Sequence, residues 1–405
     1  MLFKIAWRNV WRNKSRSLVV IFAIAIGILG AVFFAAFMTG MVKQQASRSI
    51  HIETAHIQLC HPDFIKSEAL NTYVSAGDYV NKLSQYPEVK SVSARISING
   101  MATTAGRAMG IRVLGIEPEV EKQTTLMWQQ LDTGSYFESD SKAAPILVSR
   151  KQASELKLKL GSKVVLNLPD TAGNITYGLF RVTGIYRTGN GIYDGLHMFV
   201  KIEDIQALTG LPEDARHEIA VLLHSDLQTP SVLEKIKRDL PALLARDWGE
   251  LQPAIKMYAG FINQFNTILL SIILIALIFG IINTMLMVIL ERTREIGMLR
   301  AVGMHGRQVA IMIILETVFL SLVGGALGCL LSVVIVGWLN RRGMDLTEYM
   351  QMVEDYGWSP IIYPEVEPIF YLQIAVMVSL TAVVASYFPV QRALKLHPAT
   401  AIREL

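Results

Sequence analysis

The sequence predicts an α+β membrane protein: four transmembrane helices, with a large extracytoplasmic mixed α/β domain inserted between the first and the second. Three observations predict it. The first is a set of four apolar stretches, Leu18–Met38, Thr267–Leu290, Val309–Trp338 and Ile369–Val390. A helix needs about 20 apolar residues to cross a bilayer core, and each stretch meets that length. The second is the polar block of residues 42–260, which holds 24 basic and 24 acidic residues and is long enough for one or two domains. The third is the sorting of basic residues among the segments that flank the spans.

Composition agrees. The chain has 405 residues, of which 52% are hydrophobic. That is too apolar for one soluble domain and too polar for a protein lying wholly in lipid. The net charge of +4 comes from the flanks of the spans, because the large block is neutral. Charge therefore reports topology and contact with anionic lipid, and gives no support to nucleic-acid binding.

Residues 1–17 carry Lys4, Arg8, Arg12, Lys14 and Arg16 and no acid. Phe3, Trp7, Val10 and Trp11 fall on one helical face beside the stripe of Lys4, Arg8 and Arg12. Aromatics next to basic residues suit an amphipathic helix lying at headgroup level. Residues 18–38 form the first span. Their apolar core is longer than that of a signal peptide, so an uncleaved anchor is expected.

Residues 42–260 alternate short β-branched runs with helical patterns. Strands are expected at Val92–Ile98, Ile111–Ile116, Pro145–Val148, Lys163–Leu168 and Phe180–Ile185. Helices are expected at Gly77–Gln85, Arg150–Leu158, Ile202–Leu208 and Pro230–Ala245. An inserted lobe is placed at about residues 131–219. Residues 267–290 are the second span and 291–308 a short charged segment with four basic and two acidic residues. Residues 309–338 are the third span, 339–368 an acidic loop, 369–390 the fourth span and 391–405 a basic tail. The positive-inside rule places both termini and residues 291–308 in the cytoplasm, and the large block and the acidic loop outside.

Few chemical tools are present. The chain has no P-loop, no His-Glu-x-x-His, no Gly-x-Ser-x-Gly and no Cys-x-x-Cys, so no catalytic residue is assigned. His51, His56 and His61 are spaced by five, which spreads them over different faces, and no metal site is expected. Gly189-Asn-Gly191 near Asp194 is followed by no clear helix and is expected to be a plain turn. Cys60 and Cys329 lie in different regions, and no disulfide between them is expected.

Three features of the spans stand out. Glu316 is the one ionisable residue inside a span and is expected to bind backbone or hydroxyl groups, or to pair with an arginine of residues 291–308. Asn283 in the second span is expected to hydrogen-bond across a helix interface. Gly324, Gly325 and Gly328 have the small-residue spacing of close helix packing. The strongest motif is Glu291-Arg-Thr-Arg-Glu-Ile-Gly-Met-Leu-Arg-Ala-Val-Gly303. It is short, alternates in charge, and presents Ile296, Leu299 and Val302 at helical spacing, a pattern suited to docking in a groove. Gly303 is placed to cap it.

That motif resembles the E-R-x-R-E-I-G-x-L-R-A-x-G stretch of the FtsX-like permeases of ABC transporters, the group that includes MacB, LolC and LolE. The tryptophan-arginine-asparagine pattern from Trp7 to Ser17 is similar to the start of LolE-like permeases. Arg112–Pro118 and the strand, helix, turn, strand unit from Val148 resemble the MacB-type periplasmic domain. The ending Pro389–Leu405 resembles the family's P-x-x-R-A-x-x-x-x-P-x-x-A-L-R, with Ile402 where leucine is usual.

The resemblance implies an inner-membrane, multi-pass permease subunit working by mechanotransmission. Residues Glu291, Arg292, Arg294, Glu295, Ile296, Leu299 and Arg300 would form the coupling helix. The partners implied are a dimer of a separate ABC ATPase, a second permease chain in a homo- or heterodimer, and the membrane. ATP and magnesium would sit on the ATPase, and no cofactor is expected on this chain, which is not expected to be an enzyme. The family's tasks rank as lipoprotein release, then peptide or drug efflux with a periplasmic adaptor, then signalling to a cell-wall hydrolase.

Overall fold

A computed structural model describes residues 2–138, 143–346 and 361–395. Residues 347–360 of the acidic loop and the end of the basic tail, including the family-like ending from residue 396, lie outside the described residues. The chain divides into two compact units. One is built from residues 2–41, 259–345 and 361–395, the other from residues 42–258.

The first unit is helical. Its elements are α1 (Leu2–Arg12), α2 (Lys14–Arg48), α3 (Pro253–Glu291), α4 (Thr293–Ala301), α5 (Gly306–Arg342) and α6 (Pro368–Leu394). Among the described residues α2, α3, α5 and α6 are long and apolar enough to cross a membrane. The helices outrun the apolar stretches. At 1.5 Å per residue the 39 residues of α3 reach about 58 Å, nearly twice a bilayer core. An apolar stretch marks only the part of a helix that lipid touches, and good helix formers such as the Lys43–Ala46 stretch carry the winding further.

The core of this unit takes Ile21, Ile24 and Ile28 from α2, Leu270, Leu274, Ile281 and Met285 from α3, Ile313 and Leu320 from α5, and Ile374 and Val378 from α6. Lipid tails are as apolar as leucine, so association rests on close packing instead of water exclusion. The glycines of α5 supply it. A Cβ added to Gly324 would lie 3.0 Å from the Ile21 carbonyl oxygen, and one added to Gly328 would lie 2.9 Å from that of Ala25. Gly325 faces Val378 of α6 at an ordinary 3.5 Å. Two of the three glycines are therefore demanded by backbone contact with α2, and the third is not.

The second unit holds a sheet of ten strands: β1 (Ile57–Cys60), β2 (Val89–Thr104), β3 (Arg107–Ile116), β4 (Leu131–Gly134), β5 (Ala144–Ser149), β6 (Lys163–Pro169), β7 (Ile175–Tyr186), β8 (His197–Lys201), β9 (Glu218–Leu223) and β10 (Leu244–Asp247). Their order is β10-β1-β9-β2-β3-β8-β5-β7-β4, with β6 bridging β2 and β7. Pairings β3–β8 and β5–β7 are parallel and the others antiparallel. The sixteen residues of β2 serve two cores. Its first half joins Ile57, Leu59, Ile219, Val221 and Ile236, and its second half joins Val113, Ile146, Leu166 and Val200. The second core takes in residues 96–116 as well as the 131–219 stretch.

Two local expectations need correction. The helix expected over Pro230–Ala245 spans Thr229–Asp239, and Ala245 lies in β10. The residue before a proline avoids helical geometry, and Leu240 precedes Pro241. A short helix, Gly191–Leu196, does follow the glycine pair, because the Asn190 carboxamide oxygen accepts from the backbone N–H groups of Ile192 and Tyr193. Strands β1 and β9 were not foreseen. Both are short and almost continuously buried, and such runs lack the alternation that marks a strand.

Candidate coupling site

The charged motif folds as α4, set off from α3 by the single residue Arg292 at φ −99° and ψ 12°. Its far end closes on Gly303. The Gly303 N–H donates to the Arg300 carbonyl and the Met304 N–H to the Leu299 carbonyl, and Gly303 has φ +107°. This is a Schellman end, whose positive φ favours glycine. A one-residue hinge and a glycine stop thus define a rigid two-turn helix between two spans.

Four charged groups and one amide converge beneath it. The Arg292 guanidinium donates from Nη1 to both Glu316 oxygens at 3.2 and 3.1 Å, and from Nε to Glu295 Oε2 at 3.0 Å. Arg12 Nη2 donates to Glu295 Oε1 and Oε2 at 2.8 and 2.7 Å. Asn9 Nδ2 donates to Glu316 Oε1. The result is a continuous chain, Asn9–Glu316–Arg292–Glu295–Arg12, joining α1, α5 and α4. Glu316 therefore pairs with an arginine of the motif, one of its two expected roles.

The chain is graded in exposure. The side chains of Arg292 and Glu316 are 12% and 6% exposed, whereas those of Arg12 and Glu295 are 49% and 43% exposed. Desolvation pulls the Glu295 carboxyl upward, but hydrogen bonds from Arg12 and Arg292 outweigh it and hold the group below the usual carboxylate range. Exposed pairs contribute at most about 1 kcal/mol, so the inner pair fixes the position of α4 and the outer pair trims it.

The other motif residues divide clearly. Ile296 is 2% exposed and belongs to the core of the four-helix unit, so it is not on the docking face expected from its spacing. The exposed apolar surface is Met298, Leu299 and Val302, at 53%, 39% and 87%. Arg300 donates from Nη1 to the Leu394 carbonyl at the end of α6, where the helix dipole is negative. Glu291 and Arg294 are exposed. Asn283 lies on the exposed side of α3, and its carboxamide makes no hydrogen bond with any described residue.

Sequence reasoning missed Asn9 and Arg12 as site residues. Their signal is the repeated tryptophan-arginine-asparagine pattern, which carries a family resemblance but names no partner for either side chain. The aromatics of that pattern also have a partner. Phe3 and Trp7 meet Phe319 of α5 edge to face, with centroids at 5.2 and 5.4 Å. Among the described residues no group of His, Cys, Asp and Glu is arranged to hold a metal ion. His56 bonds Asp226 instead of the other histidines.

Residues 17–239 match the MacB-like periplasmic core domain family, and residues 267–398 match the FtsX-like permease C-terminal family. The chain is 21% identical to the lipoprotein-releasing system transmembrane protein LolC of Neisseria meningitidis serogroup B, over 96% of this chain and 94% of that protein. It is 22% identical to the macrolide export ATP-binding/permease protein MacB of Pasteurella multocida, over 99% of this chain and 60% of that protein. It is also similar to the crystal structure of the periplasmic region of MacB from Actinobacillus actinomycetemcomitans, at 14% identity and a TM-score of 0.34 over 52% of this chain and 95% of that one.

Proposed function

From the premise that this chain belongs to the FtsX-like ABC transporter permeases with a MacB-like periplasmic core domain, we propose that α4 is the lever through which a separate ATPase drives it. The observation that carries this reading is the graded ion-pair chain from Glu316 through Arg292 and Glu295 to Arg12. It clamps α4 to α1 and α5 while leaving Met298, Leu299 and Val302 free to enter a cleft.

Basic flanks put α1, α4 and both termini in the cytoplasm and the inserted domain outside. The ATPase closes on ATP and presses on α4. A helix anchored by a buried charge pair moves as a body, so the push reaches α5 and α1 and not only the loop. Helices α2 and α3 are the covalent links to the inserted domain, which has two states of different affinity for its cargo.

The cargo is a lipoprotein released from the outer leaflet. The support is the near full-length similarity to LolC. A second reading, efflux of a small molecule or peptide through an adaptor, is supported by the similarity to MacB over nearly all of this chain.

The test is a double substitution, Glu295→Lys with Leu299→Asp. It reverses the charge between Arg12 and Arg292 and places an acid on the docking face. Co-purification with the ATPase and cargo-stimulated ATP hydrolysis are both expected to be lost. Retention of the stoichiometry and the stimulated rate would sink the assignment of α4.

A further inference from the structure

In the inserted domain one face of β2 is at once buried and polar. Val92, Ala94, Ile96 and Ile98 turn toward the apolar cores. The alternate residues Ser93, Arg95 and Ser97 turn the other way, yet none is more than 4% exposed. Burying polar groups costs free energy unless they are paired, so such a face calls for an explanation. The polar row continues across the sheet. Arg95 lies opposite Glu218 of β9, Gln58 of β1 lies opposite Arg246 of β10, and Arg112 of β3 lies beside His197 of β8. Neighbouring strands from β10 to β8 thus bring polar side chains to one side of the sheet, where they line a cavity of about 290 Å³.

Two of the three cavity arginines already have carboxylates. Arg95 donates from Nε and Nη2 to Glu121, and Arg112 donates from Nη2 to Glu68 at 2.7 Å. Arg246 remains, against Glu53 and Glu218. The Arg246 Nε is buried and has no hydrogen-bond partner among the described residues. Glu53 accepts from the neutral amides of Asn190 and Gln252, and Glu218 accepts from that of Gln58. Burial pushes the Glu53 carboxyl up to about 7, and it raises Glu218 despite the arginines near it. His197 adds an acceptor. Its Nδ1 meets the Tyr193 carbonyl, which can only accept, so Nδ1 carries the proton and Nε2 keeps a lone pair. A cationic donor without a partner therefore lines the same cavity as two carboxyls that burial penalises.

We propose that this cavity binds a small zwitterion: an amino acid or dipeptide with a free ammonium, a free carboxylate and an apolar side chain. The ammonium brings three donors, for Glu53, Glu218 and His197 Nε2, and the carboxylate accepts from Arg246 Nε. Phe64, Ile65 and Leu114 in the lining take the apolar side chain. Both charges are needed. A lone anion would meet two carboxyls, and a lone cation would leave the Arg246 Nε without an acceptor. The volume is at the small end of ligand sites, which suits a dipeptide better than a longer chain. The site belongs to the inserted domain alone and goes beyond the reading of α4.

The test uses the full chain in lipid nanodiscs and titration calorimetry with three probes: leucylalanine, its N-acetyl form, which lacks the ammonium, and its amide, which lacks the carboxylate. Leucylalanine is expected to bind, and each capped form at least about ten-fold more weakly. This comparison on the unsubstituted chain needs no variant. Two substitutions then place the ends. Arg246→Gln is expected to erase the preference for leucylalanine over its amide, and Glu218→Gln to shrink the preference over the N-acetyl form about ten-fold. Each readout is a ratio of two affinities in one sample, so a partial loss of folded protein leaves it unchanged. Three results would each overturn the proposal: no binding of leucylalanine to the unsubstituted chain up to about 20 mM, either capped form binding as tightly as the parent, or a preference that survives its substitution. Binding of the ATPase has no part in these readouts, so failure of the α4 reading is told apart from failure of this one.

Discussion

Among the described residues there are two buried arginine–glutamate pairs, one in each unit, and they are built differently. In the inserted domain Arg95 and Glu121 are 3% and 2% exposed. Arg95 donates to both Glu121 oxygens and to the Glu53 carbonyl, while Ser93 and Thr125 fill the remaining sites on the carboxylate. That network closes on itself. In the helical unit Arg292 and Glu316 are also largely buried, but Arg292 passes a second bond to Glu295 and so on to exposed Arg12. One pair ends inside the fold and the other ends at exposed Arg12. The closed network fixes a strand to a helix; the open one ties α5 and the α3–α4 hinge to α1.

The largest expected effect breaks the two pairs in parallel. Glu121→Leu leaves the buried Arg95 guanidinium without its hydrogen-bonded carboxylate and is expected to destabilise the inserted domain by about 3–5 kcal/mol. Glu316→Leu leaves Arg292 its bond to Glu295, so a loss of about 2 kcal/mol is expected. Thermal unfolding of the two variants, followed by hydrogen exchange in each unit, measures the difference. Equal losses would erase the distinction between closed and open networks.

A second measurement sharpens the comparison through pH. In the inserted domain, burial pushes the His197 imidazole down to about 4, where the ring stacks on Tyr193 and its Nδ1 meets the Tyr193 carbonyl. The unfolded chain then binds more protons than the folded one between about 6.5 and about 4. Stability is full above the ordinary histidine value and is lost as pH falls toward 4. Burial shifts His56 and His217 the same way. The raised Glu53, Asp194 and Glu218 carboxyls of the same domain act in the opposite direction, so the histidine part of the slope of melting temperature against pH is read from a substitution. His197→Phe is expected to remove part of that slope, and an unchanged slope would refute the burial argument.

The smallest effect belongs to the outer pair. Arg12→Ala is expected to cost less than about 1 kcal/mol of stability, because both partners reach water. Its signature is different: cargo-stimulated ATPase activity is expected to fall while melting hardly moves. Loss of stability comparable with Glu316→Leu would make the outer pair structural.

Much of this was legible before the fold. The four spans followed from apolar length, because bilayer thickness admits no other reading of such runs. Gly303 was legible as a stop, and the φ of +107° shows why glycine is favoured there. Glu316 was legible as a paired group, since a lone carboxylate in a span is too costly to leave. Ile296 was misplaced because spacing gives a helical face but not its direction. The bend at Arg292 sets that direction, turning Ile296 inward and Met298 outward. Asn9 and Arg12 were hidden for a related reason: their own pattern is local, and their partners lie about 300 residues away.

By itself the sequence determined the solvent of each segment. Apolar length, charge sign and the absence of catalytic motifs are local quantities, and local quantities settle what lies in lipid, what lies in water and which family the chain resembles. Only the tertiary structure decided which charges meet, which glycines touch α2 and which face of α3 is left uncovered. Those depend on the angles at which helices cross, and crossing angles are fixed by packing across the whole unit.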